Sequence, residues 1–249
     1  MRLTVLGCSG TYPGADSPCS GYLVEHDGYR LVLDLGNGAL GQLQRHVGLL
    51  DVDAVQVSHL HADHCLDLVP YSYARRYHPA GPAPQLPVHG PAGLARRIAG
   101  AYESTPADGL DGVYAFFEVV PGEPYRLGPF EVTAARVEHP VEAHAVRLRA
   151  AGRTLVYTGD TARSEALVEL ARDCDLLLCE ASWASDPEPP PGIHLTGREA
   201  GDHAARAGAR RLVLTHLMPF TDPEVVLAEA RESYSGPLEL ARCGAAYEV

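Results

Sequence analysis

Four side chains of the kind that hold metal ions fall within six residues in the run His59-Leu60-His61-Ala62-Asp63-His64. A polar loop rarely concentrates three imidazoles and a carboxylate so tightly. His59 and His61, two apart, can point the same way from an extended turn. Asp63 and His64 are neighbours and are expected to point differently, which suits two metal ions side by side. Imidazole suits zinc, iron and nickel, and a carboxylate widens the choice to manganese. A site for two ions needs further ligands, and three candidates close apolar segments: His139 after Val137, Asp160 in Tyr157-Thr158-Gly159-Asp160, and His216 after Leu212-Val213-Leu214-Thr215. Each alone reads as an end cap. Together with the histidine-rich run they read as the rest of a metal centre.

The elements that must position these residues are legible around them. Asp53–Ser58 alternates as a buried strand and leads into the metal run, and Leu66–Val69 and Tyr71–Arg76 read as helix. The motif therefore sits at the carboxyl end of a strand, in the turn that opens a helix. Upstream, Arg2–Leu6 reads as a strand. Gly21–His26 and Tyr29–Leu35 read as a hairpin turned by Asp27-Gly28. Asp34, near the end of that hairpin, either bonds the backbone of the metal loop or caps the next helix, Ala39–Val47. Residues 79–91 and 104–112, rich in Pro and Gly, read as loops framing a helix over Ala92–Tyr102, with His78 and His89 as structural histidines at their margins. Val113–Val120, Phe130–Val137 and Ala145–Leu148 form a second set of strands. From Leu155 on, strands and helices alternate: Leu155–Thr158, Glu165–Arg172, Leu176–Cys179, Arg198–Ala207, Leu212–Thr215 and Glu224–Ser233. Thr196/Glu199 and Thr221/Glu224 have the spacing of capping boxes. A strand–helix–strand pattern thus recurs in both halves.

With 249 residues, 46% hydrophobic and 21% charged, the chain has ordinary globular proportions and reads as one α/β domain over 1–249. No apolar run reaches the roughly 18 residues of a membrane span, and the start reads directly as a strand, so a cytoplasmic protein away from membranes is expected. The six cysteines include no Cys-x-x-Cys pair and read as buried thiols, Cys65 among them. A formal charge of −12 disfavours general nucleic-acid binding, because neutralised phosphates supply most of that affinity.

His-x-His-x-Asp-His after an apolar strand resembles the signature of the metallo-β-lactamase-fold hydrolases. The resemblance implies a four-layered αββα sandwich with two divalent metal ions at one edge, zinc with manganese or iron as alternatives. It implies that His59, His61 and His139 hold one ion, that Asp63, His64 and His216 hold the other, and that Asp160 bridges them. Cys179-Glu180-Ala181-Ser182 and Ile193-His194-Leu195-Thr196 resemble the Glu and His motifs of the ribonuclease Z-like branch. There the pair relays a proton to the leaving group, which a phosphodiester needs and a carboxylate-oriented His can supply. The bland reading is a strand-end cap for Glu180 and a loop histidine for His194.

Over nearly the full length, Leu6-Gly7-Cys8-Ser9-Gly10, Asp16-Ser17-Pro18-Cys19-Ser20-Gly21, the metal run, Cys179–Trp183 and the terminal Tyr247-Glu248-Val249 resemble the actinobacterial atypical class II cyclic-nucleotide phosphodiesterases. That implies hydrolysis of a small phosphodiester, 3′,5′-cyclic AMP foremost, with Asp63 orienting the attacking water and His194 with Glu180 protonating the leaving oxygen. The branch also implies a homodimer. Only 20 residues lie between His139 and Asp160, enough for two strands and a turn but not for the long arm with which ribonuclease Z grips tRNA. The alternatives are ribonuclease Z-type RNA cleavage, a phosphodiesterase for another small diester, and, outside the enzymes, a catalytically silent nucleotide-binding module.

Overall fold

The computed structural model describes residues 1–81, 83–102, 110 and 112–249. Two seven-stranded sheets face each other. The first runs in the order β14-β1-β2-β3-β4-β5-β6, from β1 (Arg2–Gly7), β2 (Gly21–His26), β3 (Tyr29–Leu35), β4 (Ala54–Gln56), β5 (Leu86–Gly90), β6 (Tyr114–Glu118) and β14 (Ala246–Glu248). The second runs β13-β12-β11-β10-β9-β8-β7, from β7 (Tyr125–Leu127), β8 (Phe130–Arg136), β9 (His144–Ala150), β10 (Arg153–Tyr157), β11 (Leu176–Glu180), β12 (Leu212–Thr215) and β13 (Leu238–Leu240). Each sheet begins with antiparallel hairpins and continues in parallel strands, β3 to β6 in one and β10 to β13 in the other.

Parallel strands need crossovers, and the helices supply them on the outer faces. On the first sheet these are α1 (Ala39–Leu43), α2 (Ala62–Cys65), α3 (Leu68–Arg76) and α4 (Leu94–Ala101). On the second they are α5 (Glu165–Leu170), α6 (Gly197–Ala207) and α7 (Pro223–Ser233). The core follows these four layers. One cluster, with Tyr22, Leu31, Leu33, Phe130, Leu148 and Tyr157, fills the space between the sheets. Two others pack helices against the outer faces, around Leu35, Leu68 and Ile98 and around Leu177, Ala200 and Val226. The αββα sandwich is the architecture expected from the sequence.

Local chemistry accounts for most boundaries. Asp27 and Gly28 both take positive φ, 48° and 79°, as the tight β2–β3 hairpin demands. The Thr196/Glu199 capping box is formed in full at the start of α6. The Thr221/Glu224 box is not formed. Asp222 caps α7 instead, its carboxylate accepting from the Glu224 amide, with Pro223 in the first turn where a missing N–H costs nothing. The segment 79–91 also departs from the expected loop, because β5 occupies Leu86–Gly90 between β4 and β6. Pro87 and the flanking prolines mask an alternation in which Leu86, Val88 and Gly90 are buried. The expected loop over 104–112 falls largely outside the described residues. His89 stacks on Phe117 and Tyr125, as a structural histidine does. All six cysteines are free, and Cys65 donates to the His61 carbonyl rather than facing the metal ligands. Among the described residues no helix is long and apolar enough to cross a membrane.

Candidate metal centre

The parallel strands of both sheets deliver their carboxyl ends to one edge, where open α/β sheets place their ligands. Asp34 comes from the end of β3, and the metal run follows β4. His139 follows β8, Asp160 follows β10, Glu180 closes β11 and His216 follows β12. Two close approaches are needed. A Cβ on Gly36 would lie 1.8 Å from the Asp63 carbonyl oxygen, and one on Gly159, whose φ is +59°, would lie 2.8 Å from the Ser58 side chain. Only glycine lets β3 and β10 come so near the metal run.

The seven residues meet there in two groups that share Asp160: His59, His61 and His139 with Asp160, and Asp63, His64 and His216 with Asp160. In the first, His59 Nε2 and His139 Nε2 lie 3.0 and 3.2 Å from His61 Nδ1. In the second, His64 Nε2 is 3.4 Å from Asp63 Oδ2, and Asp160 Oδ1 is 3.1 Å from His64 Nε2. Asp160 Oδ2 reaches the other histidines, 3.3 Å from His216 Nε2 and 3.5 Å from His59 Nε2. The division falls between His61 and Asp63. The neighbours Asp63 and His64 both fall in the second group.

The donor set fits metal ions. His64 Nε2, His216 Nε2 and Asp160 Oδ1 are buried without a hydrogen bond, a costly state for polar atoms unless something else binds them. The opposite ring atoms are tied down. His64 Nδ1 donates to Asp34 at 2.7 Å and His139 Nδ1 donates to the Ile193 carbonyl at 2.9 Å. His216 Nδ1 meets the Ser20 hydroxyl at 2.8 Å, and His59 Nδ1 meets Ser58 Oγ at 3.1 Å. Such outer contacts fix the tautomer and aim the free nitrogen at the ion. A Thr11 backbone N–H donates to Asp63 Oδ2 at 2.9 Å and turns that carboxylate inward.

Burial and the neighbouring charges pull in opposite directions across this cluster. Burial opposes a charged His64, yet the Asp160 and Asp34 carboxylates raise it well above the usual histidine range. Burial also opposes a charged Asp160, and His216, His64 and His59 nevertheless hold it well below the usual carboxylate range. His59 and His216 are pushed by burial toward the neutral, ligating form.

Asp34 settles the alternative left open by its sequence position. It takes the strained left-handed backbone, φ 54°, and its buried carboxylate accepts from the Ser58 amide at 2.6 Å, Ser58 Oγ at 2.7 Å, His64 Nδ1 and the Tyr157 hydroxyl at 2.6 Å. It organises the metal loop rather than a helix. Removing such an outer carboxylate lowers metal affinity by about 10–100-fold. Asp34→Ala is accordingly expected to give up metal to a competing chelator at about that much lower concentration. Unchanged competition curves would show that His64 is aimed without it.

Beside the seven stands the pair singled out for proton transfer. His194 Nδ1 lies 3.0 Å from Glu180 Oε1 and 3.9 Å from Asp160 Oδ2. Glu180 is fully buried and accepts in addition from the Thr161 amide at 2.6 Å and Ser182 Oγ at 2.8 Å. So fixed, Glu180 holds His194 by Nδ1 and leaves Nε2 for another partner. Burial opposes the imidazolium, but the Glu180 carboxylate prevails and carries His194 up to about 9. Two side chains join the site without a signal of that role in the chain: the Trp183 indole, 6.1 Å from the His194 ring, and Tyr157, whose hydroxyl joins Asp34 across the two sheets.

Residues 29–217 match the beta-lactamase superfamily domain. An uncharacterized protein of Mycobacterium leprae is 45% identical over 255 residues, covering 100% of this chain and 89% of the relative. The probable metallo-hydrolase YhfI of Bacillus subtilis is 31% identical, with 100% of both chains covered. The crystal structure of YhfI superposes with a TM-score of 0.89 over 100% of this chain and 99% of the other. A ribonuclease Z of Myxococcus xanthus is 30% identical, covering 100% of this chain and 98% of the relative.

Proposed function

This chain belongs to the beta-lactamase superfamily as a metallo-hydrolase related to ribonuclease Z, and we propose that within it the protein is a phosphodiesterase for a small cyclic nucleotide, 3′,5′-cyclic AMP foremost. The observation that carries the reading is the Glu180–His194 pair set against the seven-residue centre. A phosphodiester has a poor leaving group, and an oriented imidazolium next to the site of attack is the group such a substrate needs.

His59, His61 and His139 would hold one divalent ion and Asp63, His64 and His216 the other, with Asp160 between them. Ions held by these residues would supply charge to bind the phosphate and would lower the pKa of a water toward neutral. The protein's own part is then positional. Asp63, fixed by the Thr11 amide, orients the attacking water as well as ligating. Glu180 accepts a hydrogen bond from the Nδ1–H of His194, so that the proton His194 delivers to the departing ribose oxygen is the one on Nε2.

Relatedness to ribonuclease Z supports cleavage of a phosphodiester, and two features turn the reading away from RNA. The interval from His139 to Asp160 is filled by β9, a turn at Ala151-Gly152 and β10, and the alignment with the Myxococcus ribonuclease spans 304 positions against the 249 residues here. The chain also carries a formal charge of −12. We therefore expect kcat/KM for cyclic AMP, or a comparable small diester, to exceed that for pre-tRNA by at least about a hundredfold, since each absent polar contact forfeits about 1–3 kcal/mol. Both substrates are to be assayed side by side at physiological salt. Efficient 3′-end cleavage of pre-tRNA would reverse the assignment.

A further inference from the structure

The loops that deliver Glu180 and His216 also deliver two aromatic rings. Trp183 lies three residues beyond Glu180, and Phe220 four residues beyond His216. Their ring centroids are 6.1 Å apart, and the indole is 6.1 Å from the ring of His194. They wall a cavity of about 330 Å³ whose other lining includes Pro187, Val225, Asp186 and Glu188. That volume is within the range of small-molecule pockets, about 300–1,000 Å³. Phe220 is 67% exposed and Val225 42%, so the apolar surface here is not spent on the core.

We propose that this cavity is the base-binding subsite of the substrate and that it takes a purine. The inference rests on the phosphodiesterase reading above. With the phosphate at the metal centre and the leaving oxygen at His194, the nucleoside extends past His194, and Trp183 and Phe220 are the surfaces it meets. Aromatic rings stack on bases whatever their hydrogen-bonding pattern, and a two-ring base covers more of such a platform than a pyrimidine. The platform is preorganised. The Trp183 amide donates to the Leu195 carbonyl, and Trp183 pairs with Thr196 across an isolated bridge. The segment carrying Phe220 is pinned by the Thr221 hydroxyl, which donates to the Ser182 carbonyl at 3.1 Å. The exposed carboxylates of Asp186 and Glu188 can accept from an exocyclic amine and repel a second phosphate, which selects a mononucleotide over a polynucleotide.

Trp183 is the chain's single tryptophan, so emission excited beyond the tyrosine absorption band reports this cavity alone. Titrating the metal-loaded protein with adenosine 5′-monophosphate, the hydrolysis product, should quench it in a saturable manner, whereas ribose 5-phosphate should not. Phe220→Ala, at an exposed position that leaves folding intact, should raise the Kd by about 5- to 150-fold, the range for loss of one base–aromatic stack. The same variant should raise KM for cyclic AMP and leave that for ribose 3′,5′-cyclic phosphate, which lacks a base, unchanged. Cyclic AMP turned over with no base-dependent quenching and no effect of Phe220→Ala would overturn the subsite while leaving the phosphodiesterase reading intact. Base-dependent quenching that Phe220→Ala weakens, without hydrolysis of any cyclic nucleotide, would uphold the subsite and overturn that reading.

Discussion

Asp160→Ala is expected to lose most of its metal and all measurable turnover while keeping its fold. Asp160 is the one residue common to both groups, with Oδ1 facing His64 and Oδ2 facing His216 and His59. On the proposed assignment of one ion to each group, removing it would take a ligand from each ion and also the anion their charges would share. The cost exceeds that of any single histidine, because a lost histidine leaves the other group whole. Folding should survive, since the residue lies beyond the end of β10 and its carboxylate serves the cluster rather than a strand or helix. Elemental analysis after gel filtration reads the metal, and far-UV circular dichroism reads the fold. Both ions retained in the variant would show that the bridge is elsewhere. Metal lost together with the circular dichroism signal would show that Asp160 holds the sandwich as well as the ions.

The seven converging residues could be anticipated because each follows an apolar strand, and parallel strands of one sheet end at the same edge. The chemistry of the types and the geometry of the fold thus point the same way. What escaped the sequence depends on contacts between distant segments. Asp34 could serve the metal loop or cap a helix, and the choice falls to the former through Ser58, 24 residues on, and Tyr157, 123 residues on. Trp183 and Phe220 lie far apart in the chain, and nothing in either loop announces that β11 and β12, as parallel neighbours, bring them together. The misread segments have local causes. Pro87 within β5 looks like a strand breaker, yet the strand is held by its parallel partners on both sides. Thr221 has the spacing of a cap, but Asp222, one residue nearer, followed by Pro223, is the better helix start, and the Thr221 hydroxyl is left to bind the Ser182 carbonyl.

Replacing His194 by Ala should separate proton transfer from metal binding. His194 takes no place in either four-residue group, and its Nδ1 lies 3.9 Å from Asp160 Oδ2, so the variant should keep both ions. A third possible grouping, of Asp160, Glu180 and His194, is geometrically close enough to hold a metal, which makes the metal analysis decisive. Against it, Glu180 is already committed to the Thr161 amide, Ser182 Oγ and His194 itself, as a carboxylate that orients an acid would be. Loss of a positioned general acid costs about 10²–10⁴ in rate. The size of the loss should follow the leaving group. The ribose oxygen of cyclic AMP departs as a strongly basic alkoxide unless protonated, so the variant should fall by that full factor. p-Nitrophenolate is a stable anion that needs no proton, so turnover of bis-p-nitrophenyl phosphate should fall far less. Glu180→Gln, which keeps the shape but removes the charge that favours the imidazolium, should show the same unequal loss in weaker form. An equal loss on both substrates with the ions in place would make His194 a phosphate-binding group instead of the acid. Loss of metal from the variant would make it a ligand, and the centre would then be built from the three-residue grouping as well.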